Sequence, residues 1–123
     1  MRDRPGLEER DVTYLAPFLA WAHLELGEVA EAEEIVGQAI RRARAEPHRL
    51  ALVEALRVQA MVATRQEGWE QAERSLEEGL AVARSIPYFY VEARLLHVYG
   101  EMHARKGEPE PARERLEAAL TIF

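Results

Sequence analysis

The chain has 123 residues, 48% of them apolar, with a formal net charge of -6 and a pI near 5.3. That size allows one domain's worth of core, and the acidic balance argues against direct nucleic-acid binding, which needs a cationic face. There is no cysteine, which excludes a disulfide frame and a thiolate metal site. No apolar run approaches the roughly 20 residues of a membrane span. Nor does an apolar stretch follow Met1 to Gly6 as a signal peptide would require, so the expected location is cytoplasmic with no membrane partner.

Residues 1–9, with Pro5 and Gly6, read as a loose lead-in. From Asp11 the pattern turns helical, and Leu15, Ala16, Leu19, Ala20, His23 and Leu26 recur at helical spacing as one stripe. Gly27 suits a left-handed helix cap. A second helix from about Val29 carries Ala32, Val36, Ala39, Ile40 and Ala43. Its glutamates crowd the start and its arginines the end, as the helix dipole favours, and Pro47 closes the unit.

The same plan returns. A helix over about His48 to Gln66, a turn at Glu67 and Gly68, and a helix over about Trp69 to Ser85 form the second unit. A helix over about Tyr88 to Lys106, a turn at Gly107 and a helix from Pro109 form the third. Gly27-Glu28-Val29-Ala30-Glu31-Ala32 recurs forty residues later around Trp69-Glu70-Gln71-Ala72, and forty later again around Pro109-Glu110-Pro111-Ala112. A constant stride of this kind marks a repeat architecture. The predicted fold is all-α: three antiparallel helix pairs over residues 10–123, with repeats at about 10–47, 48–87 and 88–123.

These residues resemble the tetratricopeptide repeat family. Small residues stand at Ala20, Ala60 and Gly100, and again at Ala39, Gly79 and Ala119. The turn positions hold Gly27, Glu67 and Gly107, with the middle glycine shifted to Gly68. An alanine follows at Ala32, Ala72 and Ala112, while the aromatic position matches only at Trp69, against Val29 and Pro109. The family's repeat is about 34 residues; the longer stride here is similar to the repeat regions of MalT-like and LuxR-type bacterial transcriptional regulators. The resemblance implies an α-α superhelix that acts as a scaffold for protein–protein contacts, in a piece of a longer regulator.

In that family the first helix of each pair lines a concave face. Carried over, those positions are Tyr14, Pro17, Trp21, Leu24 and Glu25, then Glu54, Arg57, Met61, Thr64 and Arg65, then Arg94, His97, Glu101, Ala104 and Arg105. Four arginines on two adjacent helices suit carboxylates, so an acidic peptide or protein segment is expected, with Trp21 and Met61 as apolar anchors. Pairing of the arginines with Glu54 and Glu101 is the plainer alternative. The family's chaperone-binding carboxylate clamp is not expected, because Trp21, Met61 and Glu101 replace its asparagine.

Other candidates are weaker. His97 and Glu101 have metal-compatible spacing but lack further ligands in a fixed pattern. His23 and His103, with Ala63 between them in register, read as helix-packing residues, Trp69 as core, and Tyr88, Phe89 and Tyr90 as packing between units. No glycine-rich phosphate loop or nucleophile triad is present, so neither catalysis nor a cofactor is expected. Sensing of a small-molecule inducer is one alternative function. Pairing of two copies through the C-terminal helix, residues 112–123, is another.

Overall fold

The computed structural model describes residues 9–46, 48–86 and 89–122. The expected lead-in before Glu9, the two closing prolines, Tyr88, the Phe89 side chain and Phe123 lie outside the described residues. Six helices follow in order: α1 (Glu9–Glu25), α2 (Val29–Ala45), α3 (Arg49–Arg65), α4 (Trp69–Ala83), α5 (Phe89–Lys106) and α6 (Pro109–Ile122). No strand occurs among the described residues. α1 opens two residues before the expected Asp11, and α3 opens one after His48, whose Nδ1 accepts from the Ala51 amide at 3.3 Å as the N-cap.

The pairs α1–α2, α3–α4 and α5–α6 form three hairpins. Their turns share one construction. The amides of Glu28, Gly68 and Glu108 donate to the carbonyls of His23, Ala63 and His103 at 2.9, 2.8 and 2.9 Å. The amides of Gly27, Glu67 and Gly107 donate three residues back at 3.0–3.1 Å. This is a Schellman ending, which needs a left-handed residue just past the helix. Gly27 and Gly107 supply it with φ of 83° and 88°. In the middle turn Glu67 takes the left-handed conformation itself, with φ of 59°, and Gly68 does not. The displaced glycine therefore leaves the geometry in register.

Consecutive hairpins join through the first helix of the later unit, which meets both helices of the earlier one. α1 packs on α3 and α3 on α5, and each second helix also rests on the next first helix, α2 on α3 and α4 on α5. The backbones of α2 and α4, and of α4 and α6, stay apart. Long side chains bridge those gaps: Arg44 meets Glu78 at 2.7 Å and Arg115 meets Glu77 at 3.9 Å. First helices crowded on one side and second helices spread on the other make a superhelix of α-hairpins.

The core follows the register. Ala32, Ala72 and Ala112 are all buried, as are the small residues Ala20, Ala60 and Gly100. A Cβ on Gly100 would lie 2.7 Å from Leu116 Cγ and 3.2 Å from the Ala112 carbonyl, so the α5–α6 crossing needs glycine there. Val36, Ala39 and Ile40 of α2 pack on Leu56, Val58 and Val62 of α3. Leu76 and Leu80 of α4 share a core with Leu95, Tyr99 and Met102 of α5. The fully buried Tyr99 donates its hydroxyl to Glu73 and Glu77, and Arg115 lies 3.8 Å over its ring. Trp69 packs against this core, as expected.

The stripe expected on α1 is corrected. Leu15, Leu19 and Leu26 are exposed at 51%, 53% and 73%, while Thr13, Ala20 and Leu24 are fully buried. The register explains this. Leu15 and Leu19 are counterparts of Leu95 and Tyr99, which α4 covers, and no second helix precedes α1 among the described residues.

Candidate binding groove

The first helices bring together two sets of the expected residues in two cavities. The first cavity, about 250 Å³, draws Glu25 from α1, Met61, Thr64 and Arg65 from α3, and Val98, Glu101 and Arg105 from α5. Arg65 crosses to α1, reaching Glu25 Oε2 at 3.6 Å and donating to the Leu24 carbonyl at 3.2 Å. Arg105 is exposed and has no ion-pair partner among the described residues. Glu101 lies 3.9 Å from His97, both well exposed. The walls alternate in charge, with Met61 and Val98 as the apolar floor.

The second cavity, about 480 Å³, lies between α3, α5 and α6, and is lined by Arg57, Ala93, Arg94, His97, Leu116, Ala119 and Leu120. Behind it Glu54, 2% exposed, holds two guanidinium groups. Arg57 Nε donates to one carboxylate oxygen at 3.1 Å and Arg94 Nη1 to the other at 2.9 Å. Burial lowers the Arg57 pKa, and the nearby Glu54 charge only partly opposes it. Arg57 thus does not project as expected; its head lies on Glu54 and against the Met61 sulfur at 3.6 Å. Of the alternative pairing, the Glu54 half is present for Arg57 and Arg94, but around a buried carboxylate and not as a solvated face, and Glu101 meets His97 instead of an arginine among the described residues.

The remaining expected residues lie apart from these cavities. Tyr14 stacks on His48 with ring planes 11° apart and meets Phe18 edge-on, tying α1 to the start of α3. Trp21 is 41% exposed and lines neither cavity. Pro17 and Leu24 belong to the core, not to a concave lining. Leu116 and Leu120 were missed by the sequence reading, although the forty-residue stride makes them counterparts of Leu76 and Leu80. Among the described residues no three His, Asp or Glu gather as a metal site.

His23 and His103 do more than pack between helices. Each sets its Nδ1 against the glutamate just past the turn, His23 on Glu28 at 2.6 Å and His103 on Glu108 at 2.7 Å. His103 also stacks on Tyr99 at 5.3 Å. The middle unit has Ala63 and Gly68 at the same places, so it lacks the clasp. The hydrogen bond from His103 holds the Glu108 carboxyl below its ordinary range.

Fold and groove together define a class: a stack of α-hairpins whose first helices present a charged, partly apolar face. Over 84 residues, 68% of the chain, the sequence is 33% identical to Regulatory protein RapG of Bacillus subtilis (strain 168). The match covers 23% of that protein, so the chain corresponds to about a quarter of its length. No family model and no solved structure matches the chain. Among the described residues no helix is long and apolar enough to cross a membrane.

Proposed function

We propose that the chain is a protein-binding repeat module of the tetratricopeptide type, belonging to a regulatory protein, and that it acts by binding rather than by catalysis. The observation that carries this is the smaller cavity, where three successive first helices contribute Glu25, Met61, Arg65, Glu101 and Arg105 to one surface. An extended segment lying there would meet groups from all three repeats. The similarity to Regulatory protein RapG supports the regulatory setting. An acidic segment is the preferred ligand, because Arg105 has no ion-pair partner among the described residues and its fork suits a carboxylate. A transcriptional regulator of the MalT-like or LuxR type, working in the cytoplasm, is the setting that the repeat length suggests.

Anisotropy of fluorescent acidic peptides measures this directly. Arg105→Glu, at an exposed position, is expected to weaken binding about tenfold, the equivalent of ~1.4 kcal/mol. Equal binding by the wild type and the variant, with unchanged circular dichroism, would remove the acidic-segment reading. A second reading, pairing of two copies through α6, is favoured by the 72% exposure of Leu120.

A further inference from the structure

We propose that the joint between the first two hairpins carries a proton-sensitive latch, closed while the His48 ring is neutral and released when that ring gains a second proton. His48 is the N-cap of α3, with φ of -118° and ψ of 90°. Its Nδ1 accepts from the Ala51 amide at 3.3 Å, and its own amide donates to the Ala43 carbonyl of α2 at 3.1 Å. The ring also lies flat on Tyr14 of α1, with the centroids 6.1 Å apart. One residue thus ties α1, α2 and α3 together. An imidazole nitrogen accepts only when it carries no proton, so this cap requires the tautomer protonated at Nε2 alone.

A second proton turns both ring nitrogens into donors. The Ala51 amide then loses its acceptor, and a positive ring sits at the positive end of the α3 dipole. Neither ring nitrogen meets a carboxylate among the described residues. From α1 the titratable group facing the ring is Tyr14, whose π-face gives a cation only a weak offset. At the end of α2, Glu46 accepts from Thr13 at 3.0 Å, Arg42 donates to the same hydroxyl, and Arg44 pairs with Glu78 of α4. On α3, Arg49 turns away to Ser85. The cap therefore contributes stability while the ring is neutral, and that contribution is lost as pH falls through the range in which histidine gains its charge. The two turn histidines have the opposite sign. His23 and His103 stand in the last turns of α1 and α5, against the carboxylates of Glu28 and Glu108. A proton there makes the bond charge-assisted, at the negative end of a helix. Mild acid is thus directed to the joint and not to those turns.

Nitrogen NMR of the histidine rings, on the 123-residue chain, tests the latch directly. At about pH 8 the His48 Nδ1 is expected to give the signal of a bare nitrogen and Nε2 that of a protonated one. A proton on Nδ1 would overturn the proposal. Urea denaturation at about pH 8 and about pH 5 is the second measurement, run beside His48→Asn, whose side-chain oxygen caps a helix at either pH. The other titrating groups are common to both chains and cancel in the comparison. Between the two pH values the folding constant of the wild type is expected to fall about fivefold relative to that of His48→Asn, the usual effect of losing a cap. Parallel pH profiles would overturn the proposal. His48→Ala, which offers no acceptor, is expected to start about fivefold less stable at the higher pH and to lack the pH effect. Amide exchange locates the loss. In acid, protection factors are expected to fall over residues 49–52 of the wild type and to hold in His48→Asn, and a fall spread evenly over all six helices would overturn the joint as its seat.

Discussion

Glu67 shows how strictly single positions answer to the repeat. Any residue at that turn must be left-handed, and a side chain there costs ~1–2 kcal/mol relative to glycine. Neither of the other two turns carries that cost. The Glu67 side chain makes no hydrogen bond or ion pair among the described residues, so replacing it removes no contact. Glu67→Gly is expected to stabilise the chain by ~0.5–1 kcal/mol after the added freedom of the unfolded glycine is counted. A thermal melt would show this as a rise of about 3 °C. Counting by forty from Gly27 locates this residue without a structure, and the adjacent Gly68 draws attention to the wrong place. The histidine clasps were not legible in the same way. His23 and His103 are visibly in register, but their partners are fixed by the turn geometry that brings Glu28 and Glu108 back onto them. Because the Glu108 pKa is depressed in the folded chain, the clasp contributes stability above the ordinary carboxylate range. That contribution is lost as pH falls through the lowered value.

Between helices, Glu54 joins α3 to α5. It is the shared partner of an arginine on its own helix and one forty residues away. Glu54→Gln keeps the shape but removes the charge that both guanidinium groups face. The expected loss is ~3 kcal/mol, because two cations are then left poorly matched at a largely buried place. A urea titration would show it as a lower midpoint with an unchanged slope. The identities of these three residues were legible, because the repeat resemblance placed all of them on one face. Their burial was not, since it depends on how closely α5 settles on α3. The error on α1 has the same origin. Leu15 and Leu19 have the spacing of a core stripe, and Leu95 and Tyr99 at the same register are core. What differs is the presence of a neighbouring second helix, which periodicity within one helix cannot register.

Across the whole molecule, the stride of forty residues correctly gave the helix count, the hairpin pairing and the small-residue crossings. It could not say which register positions are covered, because burial in a stack belongs to pairs of units and not to one unit. Leu80 and Leu120 make the contrast measurable, being the same residue at the same register with 1% and 72% exposure. Leu80→Ala is expected to cost ~3 kcal/mol as a core truncation. Leu120→Ala is expected to change stability by less than ~0.5 kcal/mol. Chemical denaturation of the two variants side by side gives both numbers.

The uneven joining of the hairpins has a mechanical meaning. The crowded inner helices behave as a spine, while α2, α4 and α6 behave as ribs linked at their outer edges by side-chain tethers such as Arg44 with Glu78. A guest that draws Glu25 and Arg105 toward each other would curl the spine and fan the ribs apart, and one that wedges between them would do the reverse. Occupancy of the inner surface would in this way alter the spacing of the ribs, across a distance that the guest itself never spans.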